Sequence, residues 1–439
     1  MPKSQLVVAP APPLPMGLSR TEIGLVLSLA LLVRALCFLA AASHPERFFT
    51  TDSVGYMALA RDLSAGYLDP ESPNFVLGLV RTPAYPIFLG ALLTLSGGST
   101  HAIVLAQIGL SLATLWLTCT LAVRLVGRRP ALIAGVILAL DPASALFPCL
   151  LQPETLFTML LVGATLLLHI AVAGRSARTA LGSGALLGLA ALTRPLGIFL
   201  PLWLAPAVWT ATKGPRRGRL LIAFLAAAGT PMGAWMAKNQ VLTGFPVFSI
   251  AGDSSLLHYR AAGALAESEG LTLEKARAVL QGRLLAMQPP ARSVAELSSR
   301  QRALALSTFA EHPLGTVKMT LRGFSLMVTG TGLSALSNLV AGPDLGTIPK
   351  PWVFVLQTVA TAVILIACLS VARGAVRLAA EGNHAALMLT LGVIAYLVLL
   401  SAGPEAGSRF RLPAMPFLAI LAGHGMPRVS LGRVPWGAP

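Results

Sequence analysis

Two acidic residues and their neighbours could do chemistry in a chain that uses few charges. Asp52 lies in TTDSVGY, with Tyr56 one helical turn later, and Glu154 lies in LLQPETLF. A positioned carboxylate can act as a general base and take a proton from a hydroxyl group. We therefore treat Asp52 and Glu154 as candidate catalytic residues and Tyr56 as a candidate substrate contact.

Four arginines lie at the ends of other apolar runs. Arg81 opens RTPAYP, Arg194 lies in LTRP, and Arg409 and Arg411 lie in GSRFRLPAMP. Guanidinium groups bind carboxylates and phosphates through paired hydrogen bonds. Together with the two acids, these arginines predict a site for an anionic ligand with a base beside it. Tyr85, within RTPAYP, is a second candidate substrate contact.

Each of these residues also has a structural explanation. Asp52 precedes a helix-forming segment and is suited to cap its N-terminus. Glu154 suits the first turn of a helix, where the helix dipole favours an acid. Arg81, Arg409 and Arg411 could extend from the bilayer to its surface. That explanation is weaker for the last two, because they break the trend that places basic residues in cytoplasmic loops.

Four further polar residues are assigned structural roles. Arg34 lies in the middle of the first apolar run, where an unpaired charge would be costly. Asp141, inside another apolar run, is its predicted partner within the bundle. His258 and Tyr259 are interpreted as parts of a loop.

The composition predicts a polytopic membrane protein. Hydrophobic residues make up 55% and charged residues 11% of the 439 residues, too little charge to cover a soluble protein of this length. The 33 Lys and Arg exceed the 17 Asp and Glu, but they form short clusters between apolar runs. That pattern indicates cytoplasmic loops and argues against nucleic-acid binding. The four cysteines have unrelated spacings and are expected to be small core residues: Cys37, Cys119, Cys149 and Cys368.

The basic loops give one consistent path across the membrane, with both termini in the cytoplasm. About ten spans are predicted, at 21–43, 102–124, 130–149, 154–173, 178–192, 196–212, 219–237, 351–372, 384–402 and 412–426. The apolar stretch from Thr82 is only about 16 residues long, short of the roughly 20 that a span needs. We therefore expect it to be a helix that lies on the outer leaflet or dips into it.

The chain accordingly divides into five parts. They are a disordered cytoplasmic arm (1–20), an N-terminal transmembrane module (21–237) with a first extracytoplasmic loop (43–100), an extracytoplasmic helical region (238–350), C-terminal transmembrane helices (351–426) and a cytoplasmic tail (427–439). In the helical region, one apolar face is predicted from the helical spacing of Leu273, Ala276, Leu280, Leu284 and Met287.

The order and spacing of these motifs resemble the glycosyltransferase C superfamily. The shared features are an acid with a Tyr four positions on after the first span, RTPAYP, QPETLF, LTRP and a C-terminal RFRLP. The lineages most similar in this respect are the protein O-mannosyltransferases and the lipid A aminoarabinose transferase. The resemblance runs from the first span to the seventh, about half of the chain.

The resemblance implies a fold, a reaction and residue roles. The fold would be an all-α transmembrane bundle of the GT-C type, with juxtamembrane helices outside the cytoplasm. Asp52 would be the catalytic base, and Glu154 would support the acceptor or the base. Arg81 and Arg194 would contact the donor phosphate. From their position at the same interface, Arg409 and Arg411 are also predicted to bind it.

This chain departs from both lineages. The mannosyltransferases have an Asp-Glu pair where this chain has Asp52 and Ser53, and their inserted soluble domain is missing here. The aminoarabinose enzyme has Lys in place of Arg81. The resemblance therefore does not imply a mannose donor or a protein acceptor.

The expected partners are a polyprenyl-phosphate-linked sugar donor, a lipid, glycan or protein acceptor, and membrane lipids. No cofactor is required. A divalent cation between Asp52, Glu154 and the phosphate is an alternative that no histidine cluster supports. We expect a bacterial inner membrane, with the site facing the periplasm or the exterior.

Two other functions share these features. A transporter or flippase for a polyprenyl-linked sugar would also carry basic groups and membrane-embedded acids, but it should show paired halves with broken helices. Spans one to seven and eight to ten show no such repeat. A noncatalytic assembly subunit would leave Asp52 and Glu154 as helix caps.

Overall fold

A computed structural model of the chain describes residues 17–62, 72–212, 214, 216–341 and 350–427. Most of the predicted cytoplasmic arm and nearly all of the predicted tail lie outside these residues. Within them the chain is helical and has no strand. The first helix begins at Arg20, where Ser19 caps it together with Glu22. The all-α polytopic fold expected from the composition is confirmed.

Eleven helices form the N-terminal part of the molecule. They are α1 (Arg20–Leu39), α2 (Thr51–Arg61), α3 (Phe75–Val80), α4 (Ala84–Leu95), α5 (Thr100–Val126), α6 (Arg128–Leu140), α7 (Pro142–Leu146), α8 (Glu154–Gly174), α9 (Ala177–Thr193), α10 (Leu200–Ala211) and α11 (Arg216–Thr243). Short 3₁₀ turns at Pro45–Phe48, Phe147–Cys149 and Pro195–Gly197 connect some of them.

A second group of helices follows. They are α12 (Ala251–Ser255), α13 (Ala262–Glu269), α14 (Leu273–Leu285), α15 (Val294–Glu311), α16 (Pro313–Thr329) and α17 (Leu333–Ala341), then α18 (Lys350–Ala380), α19 (His384–Leu387), α20 (Val393–Ser401), α21 (Ser408–Arg411) and α22 (Met415–Gly425). Two π-helical turns, Leu256–Ala261 and Met388–Gly392, join α12 to α13 and α19 to α20. A 3₁₀ turn at Leu412–Ala414 links α21 to α22.

Helices occupy all ten predicted span positions, but they differ in length. Of the described residues, six helices are long and apolar enough to cross a membrane, or seven if the bent pair formed by α6 with Pro142–Cys149 counts as one. The other positions hold shorter helices: α9, α10 and α22. Most residues of α22 are buried within the bundle, so neighbouring helices surround it although it is shorter than a full span.

Helix direction places the candidate residues at one end of the bundle. The short turns that carry basic clusters follow α5, α8, α10 and α18, so these four turns share an end. Glu154 opens α8 and Arg194 follows α9, so both lie at the ends of these helices away from the basic turn between α8 and α9. Asp52 and Arg409 lie with them, because Arg409 pairs with both Asp52 and Glu154. Helix α4, the short apolar stretch, packs on α2, which carries Asp52.

Close packing of α9 on α11 sets the position of the LTRP turn. Gly184 and Gly188 lie one helical turn apart on α9, on the face that meets α11. A Cβ atom at Gly184 would lie 2.1 Å from the carbonyl oxygen of Phe224, and one at Gly188 would lie 2.6 Å from that of Ala228. Small residues at this spacing let helix backbones approach closely in a membrane. The end of α9, and with it Arg194, is fixed by this contact.

The predicted ion pair between Arg34 and Asp141 is wrong. Arg34 is buried and donates to Ser111 Oγ at 2.8 Å and to the carbonyl oxygen of Ser144 at 3.0 Å. Asp141 instead caps α7, accepting from the Ser144 N–H at 2.8 Å. The bend between α6 and α7 exposes backbone carbonyls, which satisfy the guanidinium group where a carboxylate was expected.

The region after α11 is helical as predicted. Ala276, Leu280 and Leu284 are buried in one cluster, with Leu273 and Met287 packed against its edge. The apolar face predicted from the sequence is therefore confirmed. This cluster joins α13, α14 and α15 into a small helical body beside the candidate residues.

Candidate functional site

The N-terminus of α2 is capped without the help of Asp52. The N–H of Thr50 donates to Ser53 Oγ at 2.8 Å, and Ser53 Oγ donates to the carbonyl oxygen of Leu151 at 2.8 Å. Gln152 adds a bond to Thr50 Oγ1 at 2.8 Å. These contacts dock the start of α2 onto the segment before α8. The capping explanation for Asp52 is therefore not needed, and its carboxylate is available for other contacts.

Both carboxylate oxygens of Asp52 accept hydrogen bonds from arginines. Arg81 Nη2 donates to Oδ1 at 2.7 Å, and Arg409 Nη1 donates to Oδ2 at 2.6 Å. Arg81 also donates to the Tyr56 hydroxyl at 3.3 Å, and its guanidinium carbon lies 4.5 Å from the Tyr56 ring centroid. Residues 357 positions apart in the chain thus meet at one carboxylate.

Glu154 binds two of the arginines on their side away from the open space of the site. Its carboxylate is fully buried, with Oε1 accepting from Arg409 Nε and lying 2.9 Å from Arg194 Nη1. Arg409 therefore bridges Asp52 and Glu154. Because Glu154 does not reach the cavity described below, its position suits holding the arginines in place.

The local sequence explains the position of Arg194 in the cluster and the aromatic surface beside it. Arg194 adopts an extended conformation between Thr193 and Pro195, as expected for a residue before proline. This ends α9 and turns the side chain into the site. Phe410 contributes an aromatic surface, with its ring centroid 5.8 Å from the Arg194 guanidinium carbon and 6.0 Å from that of Arg409. Such contacts stabilise cations in partly dry surroundings.

The cluster opens onto a cavity of about 1190 Å³. Five of the predicted residues line it, together with Phe410: Asp52, Tyr56, Arg81, Arg194 and Arg409. A second part of the lining comes from α12, the π-helical turn after it and α15. It contributes Ser254, Ser255, Tyr259, Ser298 and Gln301, and the loop before α21 adds Glu405.

Besides Glu154, two predicted residues lie outside the cavity. Tyr85 is fully buried behind Tyr56, where its hydroxyl donates to Gln107 Oε1 at 2.7 Å. Arg411 points away from Arg409, donates to the carbonyl oxygen of Val328 at 2.6 Å and lies 3.9 Å from Asp141. The structure brings neither into the cluster, although both belong to motifs that do contribute to it.

The position of Tyr85 predicts a change in stability without a change in substrate affinity. Tyr85→Phe removes its hydrogen bond to Gln107, which should lower the free energy of unfolding by about 1 kcal/mol. Because Tyr85 does not line the cavity, the KM for a substrate should stay at its wild-type value. Tyr56→Phe is the matched comparison, since Tyr56 does line the cavity. A raised KM in Tyr85→Phe alone would contradict the placement.

The charges in the cluster shift one another's pKa values. Burial would raise the pKa of the Asp52 carboxyl, but Arg409 and Arg81 outweigh burial and lower it to about 2. Burial would lower the pKa of the Arg409 guanidinium, but Glu154 and Asp52 raise it above its ordinary value. Burial raises the pKa of the Tyr56 hydroxyl, so it remains a neutral donor at neutral pH.

The low pKa of Asp52 predicts a pH-dependent contribution to stability. Because the folded pKa of about 2 lies below the ordinary 3.8, ionised Asp52 stabilises the fold above pH 3.8. That contribution is lost as the pH falls from about 4 towards 2. Thermal unfolding of wild type and Asp52→Asn in detergent should therefore differ at pH 5 and converge near pH 2. A difference that stays constant across this range would contradict the ion pairing.

The donor set does not fit a divalent cation. Among the described residues there is no group of three His, Cys, Asp or Glu side chains that could hold a metal ion. The space between Asp52 and Glu154 is filled by the Arg409 guanidinium, so a cation there would lie against positive charge.

Sequence reasoning missed three residues of the site. Phe410 lies in the RFRLP motif, and its aromatic ring between two basic residues was the signal that could have identified it. Gln152, two residues before Glu154, supports the start of α2 through Thr50. Glu405 lines the cavity but lies in the loop AGPEAGS, where no local pattern marks it.

Comparisons with known proteins identify a matching family model over part of the chain. Residues 80–235 match the family model described as dolichyl-phosphate-mannose-protein mannosyltransferase. This range includes Arg81, Glu154 and Arg194 but neither Asp52 nor Arg409. A comparison with curated protein sequences found no match.

Several solved structures are similar in fold. The archaeal oligosaccharyltransferase AglB from Archaeoglobus fulgidus, in complex with an inhibitory peptide and a dolichol-phosphate, aligns with a TM-score of 0.52 and 11% identity over 93% of this chain and 50% of that one. The apo form of the Archaeoglobus fulgidus enzyme gives 0.52 and 12% over 92% and 50%. ArnT from Cupriavidus metallidurans, bound to undecaprenyl phosphate, gives 0.42 and 14% over 93% and 78%.

The chain spans about half the length of the archaeal enzyme chains that it matches. Those alignments nevertheless cover more than nine tenths of the present chain, so the shared part is nearly all of this molecule. The resemblance drawn from the sequence motifs is confirmed at the level of the fold: the chain has a fold of the glycosyltransferase C type.

Proposed function

We propose that the chain is an inverting membrane glycosyltransferase. It moves a sugar from a polyprenyl-phosphate donor to an acceptor hydroxyl, and the acceptor is a lipid, a glycan or a protein. The reaction takes place in the cavity where Asp52 meets Arg81 and Arg409.

The observation that carries the proposal is the charge of the cluster. Arg81, Arg194 and Arg409 supply three positive charges, and Asp52 and Glu154 supply two negative charges, which leaves one net positive charge. A phosphodiester carries one negative charge and would neutralise it. The three arginines line the cavity, so the phosphate can reach them directly.

The comparisons support the same function. The matched family model is described as a mannosyltransferase that uses dolichyl-phosphate-mannose. The archaeal enzyme similar in fold was solved with a dolichol-phosphate, which is a lipid of the proposed class. Neither match identifies the sugar or the acceptor for this chain.

The proposed chemistry is a single displacement at the anomeric carbon. The acceptor hydroxyl attacks this carbon while Asp52 takes its proton. The bond between the anomeric carbon and the phosphate oxygen breaks, and its electron pair stays on the phosphate. The products are the glycosylated acceptor, with inverted anomeric configuration, and polyprenyl phosphate. The arginines stabilise the charge that develops on the phosphate.

Phosphate binding would also free the base. Both oxygens of Asp52 accept hydrogen bonds from arginines. A phosphate beside Arg81 and Arg409 competes for the same donors, and an Asp52 oxygen released by this exchange can accept the acceptor's proton. Arg409 would remain anchored by Glu154 during the exchange.

The location follows from the distribution of basic loops. The candidate residues lie at the end of the bundle away from the basic turns. Because basic turns favour the cytoplasmic side, the cavity would face the periplasm or the exterior of a bacterial inner membrane. A donor presented in the outer leaflet would meet a polar acceptor there.

Binding of the carrier lipid tests the proposed phosphate site. Purified protein in nanodiscs should bind undecaprenyl phosphate more tightly than undecaprenol, because only the phosphate engages the arginines. Arg81→Gln should weaken phosphate-dependent binding about 10- to 100-fold, the loss expected for a charge-assisted hydrogen bond. Arg322→Gln, at an exposed ion pair with Glu267, is the control and should bind as wild type does. Equal binding of the two lipids by wild type would contradict the proposal.

A further inference from the structure

A carboxylate that the proposed reaction does not use lies in the cavity lining. Glu405 belongs to the loop between α20 and α21 and faces the same space as Asp52. The lining contributed by α12 to α15 is otherwise uncharged, with hydroxyl and amide groups from Ser254, Ser255 and Gln301. The cavity therefore has a cationic part and a neutral part that carries one acid.

Glu405 lacks the ion pairs that occupy the other acids of the site. Its Oε2 atom is buried and has no hydrogen-bond partner among the residues described. Arg260 and Arg277 partly offset the effect of burial on the pKa of its carboxyl, but neither forms a salt bridge with it. Arg260 donates to the carbonyl oxygen of Leu400, and Arg277 donates to that of His258 at 2.7 Å. A buried carboxylate oxygen without a donor is costly unless a ligand supplies one.

The loop that carries Glu405 is held closely by its neighbours. A Cβ atom at Gly263 of α13 would lie 2.3 Å from Pro404 Cγ, and one at Gly323 of α16 would lie 2.5 Å from the carbonyl oxygen of Gly403. The backbone around Glu405 therefore packs directly on two helices. Such packing fixes the carboxylate in the cavity wall and argues against a mobile surface acid.

Glu405 lies within reach of a substrate bound at the cluster. Arg409 lies four positions further along the chain, so the two Cα atoms are at most about 14 Å apart. Burial raises the pKa of its carboxyl, and a hydrogen-bond donor on a ligand would stabilise the ionised form. Phosphate is unsuited to this place because it would repel the carboxylate. A group with several hydroxyls suits it.

We propose that Glu405 binds the acceptor by accepting hydrogen bonds from the hydroxyl groups of a polyhydroxylated acceptor. The inference rests on the proposed glycosyl transfer and adds the acceptor class to it. In an inverting displacement the acceptor approaches the anomeric carbon from the side away from the phosphate. The arginines bind the phosphate, and the neutral part of the cavity with Glu405 receives the acceptor.

A comparison of two acceptor alcohols tests this inference. Full-length protein in nanodiscs receives a donor that wild type turns over, with either octyl glucoside, which offers four hydroxyls, or octanol, which offers one. Wild type should use octyl glucoside with the lower KM. Glu405→Ala should raise the KM for octyl glucoside about 10- to 100-fold and leave that for octanol and for the donor unchanged. Glu405→Gln, which keeps one acceptor oxygen, should show a smaller increase.

The controls separate the possible failures. Glu269→Ala removes an exposed acid at the end of α13 and should leave every KM unchanged. An unaltered KM for octyl glucoside in both Glu405 variants, or a raised donor KM alone, would overturn the inference and leave the transfer reaction standing. A wild type without preference between the alcohols would also overturn it. A wild type that turns over no donor would remove the proposed function and this inference together.

Discussion

Replacing Asp52 by Asn should lower kcat about 10²- to 10⁴-fold. That range is the usual contribution of a positioned general base, and the amide cannot accept the acceptor's proton at neutral pH. Binding of undecaprenyl phosphate should persist, because Arg81 and Arg409 remain and no longer share their donors with a carboxylate. The loss should therefore appear in kcat and leave the affinity for the carrier in place.

The measurement is single-turnover transfer with saturating donor, alongside carrier binding. Asp62→Asn makes the same chemical change at the C-terminal end of α2, and its kcat should stay within about twofold of wild type. Equal turnover by wild type and Asp52→Asn would remove Asp52 as the base. Parallel loss of turnover and carrier binding would instead indicate that the cluster had collapsed.

Replacing Arg409 by Gln should have the largest effect on stability. Arg409 is the only described residue that pairs with both Asp52 and Glu154. Its removal leaves the fully buried Glu154 with Arg194 as its one remaining ion-pair partner. Loss of a partner from a buried ion pair typically costs about 3–5 kcal/mol, and we expect a loss at the lower end of that range because Arg194 stays.

The same substitution should lower turnover. Arg409 is one of the three cations that line the cavity, and removing a group that stabilises developing charge costs about 10²- to 10³-fold in kcat. Thermal unfolding in detergent and transfer kinetics measure the two effects separately. Arg322→Gln, at a surface ion pair, should change stability by less than about 1 kcal/mol. An Arg409→Gln variant as stable as this control would show that the bridge contributes little.

Fold class and the clustering of most site residues could be predicted from the sequence. Long apolar runs and short basic turns set the span positions, because backbone hydrogen bonding in a membrane leaves few alternatives to helices. The same pattern assigns Asp52, Glu154, Arg194 and Arg409 to one end of the bundle. Some helices are shorter than a full span, such as α22, and were still predicted from their apolar runs. In the structure the surrounding bundle covers α22.

Side-chain direction was harder to predict than position along the chain. Arg409 and Arg411 were grouped by motif, yet two positions on a helix point to different faces, and α21 sends only Arg409 to the cluster. Tyr85 shares RTPAYP with Arg81, but α4 turns it inward to Gln107. Helical periodicity applied within RFRLP would have separated Arg409 from Arg411. It would not have separated Arg81 from Tyr85, which are four positions apart; they diverge because Arg81 is extended and lies before α4 begins.

Contacts that depend on tertiary structure could not be predicted. Arg34 is satisfied by carbonyls that a bend between α6 and α7 exposes. Asp141 followed by Pro142 marks that bend in the sequence, but not which side chain the exposed carbonyls meet. Glu405 joins the cavity because its loop packs between α13 and α16. Such placements depend on how distant helices meet, and one sequence without packing information does not specify them.

Turnover of defined donors by the purified wild-type protein tests whether the chain transfers a sugar from a polyprenyl-phosphate donor. Polyprenyl-phosphate sugars, radiolabelled in the sugar, are offered one at a time with a membrane extract as the acceptor source, and free polyprenyl phosphate is measured. We expect at least one donor to release polyprenyl phosphate while its labelled sugar appears on an acceptor with inverted configuration. Movement of intact donor across the bilayer, with no release from any of them, would contradict this expectation.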